Sequence, residues 1–534
     1  MNFAGFGLTN AGKYPHKVFL IERTPSKNLR RTLTWSEFNA QTNHVANYLQ
    51  KDLGLKKGDF VLQLQMNSLE WLVTYHAILR IGAVVVPLNF RFASADIRYA
   101  AEVCRPKAFI LEEGFLPKVE PVRTDMDSIR HYICQGAGAP ADMVSYEEMI
   151  RTAPASDVLV ETQDDDLAEL MFTSGTTGPP KAVGQAHSTL YNIALGCSLA
   201  YSEGHETVYL APHPFYHSGS LFLSFPSYLA GGQIVILKDL TDPRWLLETI
   251  AEEKVNNGWV TVPCMSDSIS AIKRGDIDIH DFDFSHVTGN IVIGAQPVPY
   301  SLFRDMKDIF PFKTGNIYGI TEGGGGGSFN LYDEDVLERP GSIGKPTFNT
   351  AARIVDEQGR DVPAGTAGEL LLKGPRVMQG YFRNPELTAQ FVTDGWLHTG
   401  DLMKADADGY VYIVDRKKDL IIRGGENIFP LEIEEVLHRH PKITDVAVIG
   451  YPHERLVEIA CAIVQLHPGQ SMAEEEVVEF CKEQGLARYK WPEKVVFAPV
   501  LRNPTGKIQK FLLREQYAGT RSAVYHPDRS DSKE

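Results

Sequence analysis

Apolar positions along this chain switch repeatedly between two periods. Short apolar runs such as Asp59-Phe60-Val61-Leu62-Gln63-Leu64 and Gly82-Ala83-Val84-Val85-Val86-Pro87-Leu88 read as strands, and between them Ser68 to Arg80 keeps its apolar residues on one face at helical spacing. Strand, helix, strand at this spacing predicts a parallel sheet with crossover helices. Upstream, Leu33-Thr34-Trp35-Ser36-Glu37-Phe38 predicts a serine cap on a helix running to Leu49. The pattern recurs in strands at Ala108 to Leu111, Leu167 to Phe172 and Thr207 to Leu210, with a helix from Thr189 to Leu199. Further on, strands at Gly232 to Leu237 and Gly258 to Pro263 flank a helix from Trp245 to Lys254, and Asn290 to Gly294 is a strand ending in the small-residue turn Ala295-Gln296-Pro297.

After Gly341 the texture changes. Ala352 to Val355, Gly368 to Lys373 and Gly409 to Val414 are short strands without long helices between them, which predicts an antiparallel sheet or barrel appended to the α/β core. From the charged cluster Asp415-Arg416-Lys417-Lys418-Asp419 the pattern becomes that of a compact α+β domain of roughly 110 to 120 residues. Its predicted elements are a helix at Leu431 to His440, strands at Val446 to Ile449 and Ile459 to Gln465, and a helix at Ala473 to Glu483. The expected architecture is therefore α/β, a large N-terminal domain (1–415) of layered, parallel-rich sheets with helices plus a small β-barrel-like subdomain. A small α+β C-terminal domain (416–534) follows, with a polar tail from about Thr520 that reads as disordered.

Composition narrows the function classes. At 534 residues the chain exceeds what one core usually serves, and a net charge of −15 disfavours a general nucleic-acid binder, which needs a basic face. Six cysteines without paired spacing offer neither a zinc site nor a disulfide framework and suit a reducing compartment. No run approaches the ~20 apolar residues of a membrane span, and the N-terminus lacks a basic region followed by an apolar one, so a cytoplasmic location is expected.

The candidate chemistry begins at Thr173-Ser174-Gly175-Thr176-Thr177-Gly178-Pro179-Pro180-Lys181. Short hydroxyl donors, glycines that let successive N–H groups converge, and a terminal lysine make a phosphate cradle that should leave a sheet as nucleotide-binding loops do. It is not a Walker A loop, because two prolines separate Gly178 from Lys181. Ala211 to Ser220 mixes prolines, aromatics and histidines, as expected of a loop bordering a pocket at the carboxyl end of a strand. Tyr318-Gly319-Ile320-Thr321-Glu322 leads directly into five glycines, Gly323 to Gly327.

These strings, taken in order with GWLHTGDL at Gly395, DRKKDLIIRGGENIFPLEIE at Asp415 and PTGKIQK at Pro504, resemble the adenylate-forming superfamily of acyl- and aryl-CoA synthetases, adenylation domains and luciferases. The resemblance covers nearly the whole chain, and it implies the substrates ATP, coenzyme A and a small-molecule carboxylic acid, with Mg2+. In the first half-reaction a carboxylate attacks the α-phosphorus of ATP and expels pyrophosphate, a reaction helped by positioning and by cations where charge accumulates. By resemblance, Thr173, Ser174, Gly175, Thr176, Thr177 and Lys181 hold the β- and γ-phosphates, Thr321 contacts the α-phosphate, and Glu322 with Thr176 helps hold Mg2+. Tyr318, Gly319 and the turn Gly294-Ala295-Gln296 would hold the adenine, Asp401 the ribose hydroxyls with Arg416 nearby, and Lys507 would bridge substrate carboxylate and ATP.

For the second half-reaction the resemblance implies that the small domain turns about a hinge at Lys418. That rotation withdraws Lys507 and brings Gly424 and Gly425 up to the pantetheine, while His217 gates the thiol's tunnel. It places the acyl tail among Tyr216, Ser218, Gly219, Phe222, Trp259, Gly294, Ile320, Gly323 and Gly324. No acidic residue from Pro212 to Ser224 is available to pair an ammonium, which disfavours amino acids. The glycine run either leaves room beside the substrate or forms a mobile wall. The expected activity is an AMP-forming, reversible acid–CoA ligase acting on an apolar acid that is medium-chain, alicyclic or aromatic. Loading of a phosphopantetheinyl carrier protein is the alternative among enzymes, and a nucleotide-binding sensor without turnover is the alternative outside them. A homodimer is compatible with the resemblance; neither nucleic acid nor a membrane span is expected.

Overall fold

Thr34 rather than Ser36 caps the first long helix, Trp35–Asn47. Its hydroxyl accepts from Glu37 N at 3.2 Å while the Glu37 carboxylate accepts from Thr34 N at 2.7 Å. The reciprocal pair satisfies two of the amides that a helix start leaves open, and Ser36 is left exposed in the first turn. The structure is a computed structural model that describes residues 1–173, 180–294, 298–423, 426–502 and 507–519. The polar tail from Thr520 lies outside the described residues.

Two large sheets share one aromatic and aliphatic core, with Trp35, Phe38, Tyr75, Trp71, Phe225 and Tyr228 buried between them. The first sheet runs parallel from Leu167–Thr173 through Val84–Pro87, Phe60–Leu64, Ala108–Glu112 and His131–Gln135. On the other side of Leu167–Thr173 lies Lys181–Ala186, and that pair is antiparallel, with Thr173 opposite Lys181. The phosphate-cradle sequence therefore joins the strands of a hairpin; no crossover helix follows it directly.

The second sheet runs parallel from Val18–Thr24 through Gln233–Leu237, Val208–Ala211, Asn257–Thr261 and Asn290–Gly294 to Lys313–Tyr318. It continues antiparallel through Phe329–Leu331 and Ser342–Pro346 to Val411–Arg416, Trp396–Ala405, Gly368–Lys373 and Ala351–Val355. The short strands after Gly341 form an antiparallel group that is hydrogen-bonded onto the large sheet and packs round a core of its own. A third sheet follows, built on the long pair Ile443–His453 and Val457–Leu466, covered by the helices Pro430–Leu437 and Glu474–Glu483.

In the second sheet the ends of Val208–Ala211, Asn257–Thr261, Asn290–Gly294 and Lys313–Tyr318 fall on one edge. Ligands of open α/β sheets are held beyond that carboxyl edge. The segment after Ala211 is shorter as a loop than the sequence suggests, because a helix, Ser218–Ala230, begins within it.

Candidate active site

Tyr318, Asp401 and Arg416 meet at the carboxyl edge. Asp401 and Arg416 are directly opposed across the antiparallel arm, and Arg416 Nε lies 3.0 Å from Asp401 Oδ1. The Tyr318 hydroxyl donates to Asp401 Oδ2 at 2.5 Å. Burial first, and then the Asp401 charge, hold the Tyr318 phenol well above its ordinary range. The Asp401 charge likewise raises Arg416. Each Asp401 oxygen carries one protein donor and keeps lone-pair capacity for a further hydroxyl, which suits the ribose role expected of it.

The turn Thr321–Gly323 follows at once. Thr321 Oγ1 and Ser218 Oγ lie 2.9 Å apart, Gln185 Nε2 donates to the Thr321 carbonyl at 2.9 Å, and the Tyr381 hydroxyl donates to Glu322 Oε1 at 3.0 Å. The Lys181 ammonium sits 4.2 Å from the centre of the Phe391 ring and 5.2 Å from that of Tyr381. Burial lowers its pKa, opposed by the Glu322 charge. Lysine, carboxylate and two aromatic rings thus converge where the cradle sequence returns to the sheet. A single carboxylate beside phosphate oxygens is the donor set that Mg2+ ordinarily takes with a nucleotide, so Glu322 fits the metal implied by the family.

His217 caps the helix Ser218–Ala230: its Nδ1 accepts from Gly219 N at 3.1 Å, which leaves the proton of the neutral ring on Nε2. The ring lies parallel to Trp259, 6.2 Å away. Burial, with the Lys507 charge second, pushes His217 down to about 4. His213 behind it accepts from Thr261 N at 3.0 Å and is pushed to about 3, mainly by burial. His217 is therefore uncharged at neutral pH.

Lys507 belongs to the far end of the chain, yet its ammonium is pushed down to about 7, first by the Arg416 charge, then by burial, then by Lys418. The side chain is exposed, so the like-charge contribution outweighs burial here. Lys507, Arg416 and His217 thus occupy one neighbourhood. Lys418 is lowered as well, by the loss of hydration among the groups packed round it and then by the Arg416 charge. Ser174, Gly175, Thr176, Thr177, Ala295, Gln296, Gly424 and Gly425 lie outside the described residues.

Around the expected acyl side, a Cβ on Gly219 would stand 3.2 Å from the Trp259 ring and 3.1 Å from His217, so this glycine lets the helix start press against both. Tyr216 meets Phe90 edge to face, and Phe222 is fully buried. Ile320 packs beside Gly323, and Gly294 closes directly on Ile317. The glycine run is a buried, pinned turn, not a mobile wall. Gly324 faces Arg376 and Ile193, and Gly325, at φ 69°, lies against Phe222, whose ring would stand 2.6 Å from an added Cβ. The carbonyl of Gly325 also fills the place where a Cβ on Gly319 would be. Arg376 is fully buried and donates to the carbonyls of Gly324, Gly326 and Gly327 at 2.8 to 3.2 Å.

Gln185, Arg376 and Tyr381 escape sequence reasoning. The signal available for Gln185 was a polar residue within an otherwise small and apolar strand, Lys181–Ala186; nothing local marks Arg376.

Comparisons with known proteins give the family of the chain. The model of the AMP-binding enzyme family matches residues 8–382, and that of the AMP-binding enzyme C-terminal domain matches residues 432–507. The chain is 33% identical over 503 residues to the long-chain-fatty-acid–CoA ligase FadD13 of Mycobacterium tuberculosis, covering 93% of this chain and 95% of that one. It is 30% identical over 524 residues to the medium-chain fatty-acid–CoA ligase of Escherichia coli, covering 96% and 90%. Among solved structures, an anthranilate CoA ligase in complex with anthranoyl-AMP superposes with a TM-score of 0.87 at 27% identity over 97% of both chains. The o-succinylbenzoate CoA synthetase of Bacillus subtilis with its acyl-adenylate gives 0.82 at 27% identity, covering 95% and 97%. The chain belongs to the AMP-binding enzyme family. Within it, this protein is an AMP-forming acid–CoA ligase that uses ATP and coenzyme A. No helix among the described residues is long and apolar enough to cross a membrane.

Proposed function

We propose that the enzyme activates an apolar carboxylic acid, medium-chain, alicyclic or aromatic, and that one site serves both half-reactions. The observation that carries this reading is the buried apolar surroundings of the segment, where Gly219 presses on Trp259 and Phe222 is fully buried, with no carboxylate from Pro212 to Ser224 to pair an ammonium. Relatives named for long-chain and medium-chain fatty acids point the same way.

In the first half-reaction a substrate carboxylate oxygen bonds to the α-phosphorus of ATP as the bond to the bridging oxygen breaks and pyrophosphate leaves. Lys507 spans carboxylate and phosphate, and Thr321 donates to the α-phosphate. Lys181 and the cradle hydroxyls hold the outer phosphates, while Tyr318, Asp401 and Arg416 hold the nucleoside. Mg2+, when bound with Glu322 and Thr176, supplies charge neutralisation to the phosphate oxygens. In the second half-reaction the thiol sulfur of coenzyme A bonds to the acyl carbon and AMP leaves. Residues 416–534 turn about Lys418 between the two steps, so that Gly424 and Gly425 replace Lys507 at the site. A thioester and ATP's phosphoanhydride are similar in energy, so the reaction runs backwards where pyrophosphate accumulates. Six free thiols suit a reducing, cytoplasmic setting, and homodimer formation is open to sizing in solution.

A pyrophosphate-release screen across acetate, butyrate, hexanoate, octanoate, benzoate and cyclohexanecarboxylate tests the substrate class. Turnover is expected to favour the larger apolar acids over acetate. A preference for amino acids or dicarboxylates would overturn the assignment.

A further inference from the structure

The Ser218–Thr321 pair is supported from behind. Gln185 is fully buried, and its Nε2 reaches the Thr321 main-chain carbonyl at 2.9 Å from a strand of the other large sheet. The same carbonyl also accepts from Gly324 N at 3.2 Å, which closes the turn by itself. The Gln185 bond is therefore an addition to a turn that is already formed. It ties that turn, which presents Thr321 to the site, to the strand that returns from the phosphate cradle.

What lies behind Gln185 is unusual. Its Oε1 is buried with no hydrogen-bond partner, and the buried carboxyl of Glu169 is approached by the Tyr75 hydroxyl, outside good hydrogen-bond geometry. Glu169 is fully buried and is the directly opposed residue on the neighbouring strand Leu167–Thr173, and opposed residues of an antiparallel pair put their side chains on the same face. An ionised carboxylate in this position would be a buried charge without a counterion, which is costly. As a neutral acid Glu169 has one O–H to give, and Gln185 Oε1 is the orphan acceptor beside it. Burial does raise the Glu169 carboxyl, to about 8. Tyr75, on the helix Leu69–Arg80, is the titratable group that faces it, and the opposed residue on Val84–Pro87 is the apolar Val85.

We propose that Gln185, backed by Glu169 as a neutral acid, is a positioning residue for adenylate formation. It fixes the main chain of Thr321 so that the threonine hydroxyl, paired with Ser218, faces the α-phosphate. This rests on the assignment of Thr321 to that phosphate. A displacement of about 1 Å in such a donor costs on the order of a hundredfold in rate, so a bond remote from the reacting atoms matters.

A double-mutant cycle on acid-dependent exchange of labelled pyrophosphate into ATP tests it. Gln185→Leu is expected to lower the exchange kcat by about 10- to 100-fold while leaving KM for ATP within about twofold. Thioester formation from supplied acyl-adenylate should stay within about twofold of wild type. In a Thr321→Val background, which has no hydroxyl to aim, the same change should cost less than about twofold. Gln185→Asn, which keeps a buried amide but draws its donor back, should show the same pattern if the leucine variant folds poorly. Equal losses in both backgrounds, or a matching loss in thioester formation, would overturn the positioning role and leave Gln185 as a packing residue. Unchanged exchange in Thr321→Val alone would instead remove the phosphate role of Thr321, a failure distinguishable because it involves no change at Gln185.

Discussion

Lys507 carries its charge beside the guanidinium of Arg416, and that neighbour sets a pH for the first half-reaction. The like charge lowers the ammonium to about 7, so free enzyme loses that positive charge, which we propose bridges carboxylate and phosphate, as pH rises through neutrality. The kcat/KM of pyrophosphate exchange should therefore fall on an alkaline limb near pH 7, and Arg416→Gln should move that limb upward even as nucleotide binding weakens. An unmoved limb would show that another group sets it. A second consequence concerns stability. Glu203 is buried with Oε1 unpartnered, and burial raises it to about 8 from an ordinary 4.5. Between those values the folded state holds a proton that the unfolded chain has released, so stability is fully present below about 4.5 and lost as pH rises towards 8. Glu203→Gln should accordingly raise Tm relative to wild type at pH 8 and leave it nearly unchanged at pH 4, as read by calorimetry.

Among the elements, the glycine turn is where packing departs most from what its residues suggest alone. Five successive glycines read as freedom, yet three of their carbonyls accept from one buried guanidinium, and Gly325 holds a positive φ against Phe222. Gly325→Ala meets both a strained backbone and a 2.6 Å contact, and should lower Tm by several degrees with a loss of adenylation. Arg376→Met, which leaves those carbonyls unpaired, should cost about 1–3 kcal/mol per orphaned group in urea unfolding. Wild-type stability in either variant would mean the turn is not pinned.

The parallel strands and their crossover helices are visible in the sequence because each is a local period, and Thr321, Glu322, Asp401 and Lys507 are marked by short strings whose order is itself information. Arg376 acts through acceptors 49 to 52 residues away and Gln185 through one 136 residues away, so no window of sequence contains either interaction. The Thr34 cap was legible in Thr34-Trp35-Ser36-Glu37, since threonine followed three residues later by glutamate is the capping-box spacing. The nearer serine merely competes with it.

At the scale of the whole molecule, a bond spans the segment around Lys418: Asp415 accepts from Leu431 N at 2.9 Å. The pairs Asp419–Arg514 and Lys510–Glu434, each at 2.8 Å, lie within residues 416–534 and brace that body from the inside. A pivot at Lys418 would change a few backbone dihedrals without refolding either body, and fixing φ there with proline should hold one arrangement. Lys418→Pro should thus spare exchange of pyrophosphate and impair thioester formation from supplied acyl-adenylate. The most direct test of the account is the converse variant, Lys507→Ala, assayed in both half-reactions with the same acid. We predict that acid-dependent exchange of labelled pyrophosphate into ATP is abolished while thioester formation from the supplied acyl-adenylate proceeds near the wild-type rate; equal loss in both would contradict it.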